Sequence, residues 1–241
     1  MAAASAEESR AAAIADAKRL LRLSRTAALA TLGADGSPLT TWVGCASDFD
    51  GAPLFLLSTL AQHTKDLAAD ARGSLLLTSP SDRGDPLNHP RLTIGGPIAL
   101  HPAPYARKRY LQRNPKAKLY ASFTDFAIYR MRVEAVHFNG GFGRADKLVA
   151  AEILTPAVDA AALIDAEDAL LAEINAAEGM AARLAGRREA GRRTWRAIGL
   201  DAEGVDLAVG GAAARLTYPA PAFEPQAWRA RLAVAVAASP A

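Results

Sequence analysis

Cysteine is nearly missing, with Cys45 the only one in 241 residues. An internal disulfide is excluded, and nothing here requires an oxidising compartment. No uncharged run is long enough for a signal peptide or membrane span, because Glu7, Glu8, Arg10, Asp16, Lys18 and Arg19 interrupt the N-terminal stretch. The expectation is a cytoplasmic protein with no membrane partner. Charge of one sign is scarce too: Lys and Arg number 28 against 25 Asp and Glu, a net charge of +3. The sequence pI near 9.2 reflects that slight excess, and nucleic acid is not the expected partner. The four histidines, His63, His89, His101 and His137, show no paired ligand spacing, so no metal site is expected. There is no Gly-x-Ser-x-Gly elbow and no evident Ser/His/Asp set, so no catalytic residue can be named. What the chain does have is apolar material, 51% of its residues, enough for one large domain or two modest ones.

The pattern of that material sets the element order. Ser5-Ala6-Glu7-Glu8 has capping-box spacing, and Ile14, Ala17, Leu20, Leu21 and Ser24 follow at helical spacing, predicting a helix over 6–24. The period then changes. Residues 27–32, 39–46 and 54–58 read as strands joined by Gly33-Ala34-Asp35-Gly36-Ser37-Pro38 and Asp48-Phe49-Asp50-Gly51. A helix over 60–69, strands over 74–78 and 91–100, and a helix from Pro104 to Asn114-Pro115 come next. The strand over 91–100 is interrupted by Gly95-Gly96, and one long strand over 126–138 closes this part. Six short strands with inserted helices argue for a closed or nearly closed antiparallel barrel, since closure removes exposed edges. The domains are expected over 1–155 and 156–241, divided at Thr155-Pro156. In the second, Val158, Leu163, Ile164, Leu170, Leu171 and Ile174 mark a helix, strands follow over 195–200, 205–209 and 212–218, and 225–237 reads as a closing helix.

Few stretches carry chemistry. In Ser58-Thr59-Leu60-Ala61-Gln62-His63-Thr64-Lys65, strand-end hydroxyls meet a helix start, where outward N–H groups and a lysine suit a phosphate; an ordinary N-capped helix with solvated polar residues is the other reading. Arg91, opening a strand at a barrel mouth, is either a two-pronged phosphate contact or half of a rim salt bridge. Thr41, Trp42 and Val43 lie on a strand able to hold the edge of a planar ring, although Trp42 taken alone reads as core. The glycines of 139–145 lack dinucleotide-fingerprint spacing, which excludes a Rossmann reading and leaves Arg144 as an anion contact or a surface charge. The basic run Arg183, Arg187, Arg188, Arg192, Arg193 and Arg196 is read as solvated, balanced by Asp165, Glu167, Asp168, Glu173 and Glu178.

Taken in order, Ala27-Ala28-Leu29-Ala30-Thr31-Leu32, Ser58-x-x-x-x-His63-Thr64-Lys65-x-Leu67, Arg91-Leu92-Thr93, Tyr110-Leu111-x-x-x-Pro115, Phe123-x-Asp125-Phe126-x-x-Tyr129 and Gly140-Gly141-Phe142-Gly143-Arg144-Ala145 resemble the pyridoxamine-phosphate-oxidase-like, FMN-binding split-barrel family. Within it the chain resembles the HugZ-type haem-utilisation proteins, which add a small C-terminal domain. The resemblance implies an α+β protein, an antiparallel, Greek-key-like split β-barrel followed by a small α/β domain. It implies FMN, with Thr41, Trp42 and Val43 along the flavin ring and Ser58, Thr59, His63, Thr64, Lys65 and Arg91 around its phosphate. It also implies a homodimer with the cofactor between subunits, acting as an oxidoreductase on a small molecule. Haem is the alternative cofactor, its propionates on Arg91, Lys65 or Arg144 and its iron approached by His63 or His137, and deazaflavin is a third ring for the same barrel. A non-catalytic dimeric cofactor-binding module is the remaining alternative. Two departures stand out: no motif specific to true pyridoxamine-phosphate oxidases is present, and Asn175-Ala176-Ala177-Glu178 replaces the relatives' Asn-x-Asp-His. No histidine follows His137, so none in the C-terminal part of this sequence can ligate haem.

Overall fold

The computed structural model describes residues 2–78, 84–142, 144–187 and 193–238, with side chains from residue 7 onward. The chain divides into two compact units, Met1–Leu154 and Thr155–Ala241. The first begins with α1 (Ala2–Leu23), β1 (Thr26–Leu32), β2 (Pro38–Gly44), β3 (Ala46–Ser47), β4 (Pro53–Ser58), α2 (Gln62–Ala69) and β5 (Arg72–Thr78). It continues with β6 (Arg91–Leu100), α3 (Pro104–Arg113), β7 (Phe126–Met131), β8 (Ala135–Asn139), β9 (Ala145–Leu148) and α4 (Ala150–Ile153). Because α1 already runs from Ala2, Ser5 lies inside the helix rather than capping it.

The pairing path runs β2-β1-β5-β6-β7-β4-β3, all antiparallel. Its two ends, β2 and β3, are halves of one strand bent at Cys45, so the chain itself joins them and the sheet curls into a split barrel. The expected single strand over 39–46 is thus two, because Cys45 leaves the ladder and donates its N–H to the Arg25 carbonyl at 2.9 Å. The expected strand over 126–138 is also two. Both β7 and β8 run antiparallel to β6, but Ile98 faces Met131 while Gly95 faces Ala135, a register shift of one residue. Residues 132–134 absorb that extra residue as a bulge does, and there the sheet splits, β7 turning to β4 and β8 to β9.

Alternate residues of the strands fill the barrel with Leu29, Phe55, Leu75, Leu92, Ile94 and Phe138, and α1 covers it with Ala13, Ala17, Leu20 and Leu21 at helical spacing. Cys45 is sealed in this core, its thiol donating to the Ser24 carbonyl at 3.4 Å. Burial pushes the thiol from its ordinary 9.0 up to about 12, against the pull of the Arg113 charge. The unfolded chain therefore releases this proton first, and stability falls as pH climbs from 9 toward 12, by up to about 1.4 kcal/mol per pH unit. In urea denaturation between pH 8.5 and 10, Cys45→Ala is expected to flatten the decline. An unchanged slope would assign the alkaline sensitivity to other groups.

The second unit holds α5 (Ala161–Ala176), α6 (Met180–Leu184), the antiparallel meander β10 (Arg196–Asp201), β11 (Gly204–Val209) and β12 (Ala212–Thr217), and α7 (Pro225–Ala238). Leu163, Leu170, Leu171 and Ile174 of α5 are buried as their spacing predicts, but Val158 precedes the helix and is 89% exposed. The basic run is only partly visible, since Arg188 and Arg192 lie outside the described residues. Two of its expected counter-charges have partners outside the run: Glu167 is buried and accepts the Leu200 N–H at 3.2 Å, and Glu173 pairs with Arg229 at 2.6 Å. Asn175 spends its amide on the Ala197 backbone, 2.9 Å to both N and O.

Candidate functional site

The first turn of α2 follows the end of β4 at one end of the barrel. Its N-cap, Ala61, has no side chain able to cap the turn. Asp66 fastens the helix to the barrel: buried, it accepts from Thr31 Oγ1 at 2.9 Å and from Gln62 Nε2 at 2.8 Å. That anchoring sets His63 beside β2, its Nδ1 3.2 Å from Thr41 Oγ1. Partial desolvation lowers the His63 pKa below the ordinary histidine value, with the Asp66 charge opposing it. The imidazole is accordingly neutral at neutral pH. Next to it, Thr64 is buried with no partner for Oγ1, while Lys65 is exposed and has no ion-pair partner among the described residues.

The donors expected beside them are differently engaged. Ser58 Oγ donates to Asp125 Oδ2 at 2.5 Å and accepts the Leu60 N–H at 3.1 Å. The Thr59 N–H donates to the Asp125 carbonyl at 2.8 Å. A carboxylate thus holds the strand-end hydroxyl that was expected to face a phosphate. Sequence reasoning quoted Asp125 within a motif but missed its role, which only the β4–β7 pairing reveals.

Arg91 belongs to a second group. It lines a shallow concavity of about 530 Å3 on the outer face of the barrel, together with Leu76, Thr93, His137, Asn139 and Lys147. Strand register makes this a row: Trp42 faces Ala28, Ala28 faces Leu76, Leu76 faces Thr93, Thr93 faces His137 and His137 faces Lys147. The Arg91 guanidinium donates to the Leu87 carbonyl at 2.8 Å at the rim. Trp42 is 69% exposed, which corrects its reading as core. Its neighbours Thr41 and Val43 point to the other face, where Val43 is buried. The three side chains therefore cannot line one ring together, although their backbone can border one.

The sequence-selected residues fall into three places within one chain. Thr41 is level with Leu29, Leu75 and Ile94, so Arg91 lies three strand spacings across and three residues along, about 14 Å and 10 Å. Arg144 sits in a third, in the turn after β8, where its N–H donates to the Gly141 carbonyl at 3.2 Å and its guanidinium lies over Gly140. Gly143 is outside the described residues. Among the described residues no three His, Cys, Asp or Glu side chains converge as a metal site, and no helix is long and apolar enough to cross a membrane.

Comparison with known proteins places this architecture. Over 94% of its length the chain matches 96% of a protein of unknown function from Agrobacterium tumefaciens, at 36% identity and a TM-score of 0.80. It matches a haem-binding protein from Mycobacterium smegmatis at 26% identity and a TM-score of 0.56, over 93% of this chain and 96% of that one. Across 115 residues, 46% of this chain, it is 35% identical to the chloroplastic haem oxygenase HOZ of Arabidopsis thaliana, of which it spans only 34%. The family description for the CREG β-barrel fits residues 7–154, the whole of α1 to α4 but for the first turn. The chain therefore belongs to the CREG β-barrel family, within the split-barrel fold of the pyridoxamine-phosphate-oxidase-like proteins.

Proposed function

We propose that this chain is a haem-binding protein of the haem-utilisation type, working as a homodimer. The observation that carries the reading is relatedness to a haem-binding protein along nearly the whole chain, with a haem oxygenase matching 115 residues at higher identity. The chemistry of the available side chains fits a haem. A porphyrin needs apolar contact for its ring, cations for its propionates and a neutral nitrogen for its iron. The chain offers exposed Trp42 and Leu76, the cations Arg91, Lys147 and Lys65, and the imidazoles of His63 and His137. Bound haem supplies the redox-active iron; the protein's part is to orient it, neutralise its carboxylates and exclude water. The outer face bearing Trp42, Ala28 and Leu76 is the surface a second copy would cover, completing a site that one chain leaves open.

The flavin reading, with FMN or a deazaflavin, ranks second. Supporting it are the uncapped first turn of α2, and the Thr64 hydroxyl and Lys65 ammonium, neither with a partner among the described residues, all suited to an anion. Against it stands Asp125, whose carboxylate would face the incoming phosphate and which already engages Ser58 and Thr59. The experiment is absorption spectroscopy of the protein purified without added cofactor, then titrated separately with haemin and with FMN. A sharp Soret band with haemin and no spectral change with FMN is expected. Flavin bands in the purified protein, or FMN binding without haemin binding, would reverse the order. Sedimentation equilibrium should give a dimer that Trp42→Glu dissociates; a wild-type monomer removes the two-chain site.

A further inference from the structure

Given the haem reading, on which this assignment rests, the histidines are not equivalent. The Nε2 of His101 is sealed in the fold, 3.8 Å from Asp48 Oδ2. His137 stands exposed on β8, and no described residue bonds its ring to fix its orientation. His63 has what both lack. Its Nδ1 is held by the Thr41 hydroxyl at 3.2 Å, while its Nε2 has no partner among the described residues. A hydrogen bond at one ring nitrogen fixes the plane of an imidazole and leaves the other nitrogen as a directed donor, which is how metal-binding histidines are oriented.

The surroundings match a porphyrin on that nitrogen. Lys65, two residues further on, has no ion-pair partner among the described residues and is a cation available to a propionate. Leu60, three residues before His63, is 73% exposed, and Phe123, carried against the same strand end by the Thr59–Asp125 hydrogen bond, is 57% exposed. These apolar side chains and the cation flank the strand-to-helix junction that carries His63. We infer that His63 ligates the haem iron through Nε2, and that Thr41 is its positioning residue. With iron on Nε2, Nδ1 carries the proton and donates it to Thr41 Oγ1.

The test is haemin titration of the full chain as wild type, His63→Ala, His137→Ala, Thr41→Val and Thr41→Ser, read by absorption and by resonance Raman of the ferrous form. His63→Ala is expected to lose the histidine-ligated band and at least about tenfold in affinity. Added imidazole should restore the band, which separates ligand loss from misfolding. His137→Ala should keep both. Thr41→Val should shift the iron–histidine stretch and Thr41→Ser return it, a signature that packing alone would not move. A histidine-ligated spectrum surviving in His63→Ala, or lost in His137→Ala, overturns the assignment while haem binding stands. A wild type that takes up no haemin overturns the haem reading and the assignment together.

Discussion

Gly96→Ala is expected to cost more than about 4 kcal/mol, enough to unfold a barrel of ordinary stability. A Cβ at this position would lie 1.9 Å from the Arg132 carbonyl oxygen, a backbone atom that cannot swing aside. Arg132 belongs to the bulge where β7 hands over to β8, and that bulge is tied to β6 by Arg132 N–H to Pro97 O and Glu134 N–H to Gly95 O, both 2.9 Å. Moving it would break the register on both sides of the split. Gly95 is the internal control. Its added Cβ would meet Gly73 O at 3.7 Å and Ala135 Cβ at 3.8 Å, ordinary contacts. Gly95→Ala should therefore stay within about 1 kcal/mol of wild type. Urea midpoints of the two variants decide the matter, and equal losses would mean that the bend tolerates a side chain.

The same bend marks where the sequence stopped being legible. Gly95-Gly96 announced an irregularity within a strand, and β6 carries it; but a register shift of one residue leaves no trace in composition, so 126–138 read as one strand. The turns flanking β1, β2 and β4 were legible because glycine, aspartate and proline have local reasons to be there. Pro104 and Asn114-Pro115 likewise bracket α3, which runs from Pro104 to Arg113. Strand β9 was missed because Ala-Asp-Lys-Leu has neither a β-branched nor an aromatic residue and is held only by its pairing with β8. The site shows the same division. His63 and Lys65 were found from the strand-to-helix junction, which is local. The row through Thr93, His137 and Lys147 depends on the partners of β6 and β8, and Trp42 looked like core because a tryptophan on an uncovered outer face has no single-chain explanation.

Arg215→Met is expected to cost the second unit about 3–5 kcal/mol, by taking the guanidinium away from two buried carboxylates. Asp201 and Asp206 are fully buried, and one guanidinium serves both, at 2.6 Å to each. Burial opposes the charge on Arg215, yet the two carboxylates outweigh it and hold its pKa above the ordinary arginine value. The geometry explains why an ionic group persists in so small a core. Every residue of β11 is buried, so no alternation of apolar and polar faces fixes how it pairs. Asp206 lies directly opposite Arg215, and a slip of one residue would set Arg215 against Val205 or Leu207 and part the carboxylate from its guanidinium. Asp201 extends the constraint to β10, where its carbonyl also accepts the Trp228 indole N–H at 2.9 Å. Trp195 and Trp228 are the only tryptophans of this unit, so their fluorescence in a Trp42→Phe background follows its unfolding alone. Arg215→Lys should fall between wild type and Arg215→Met, since one ammonium lacks the fork that reaches two carboxylates. A loss below about 1 kcal/mol in Arg215→Met would mean that water enters to solvate the aspartates, and that hydrophobic packing rather than the ion pair sets the register.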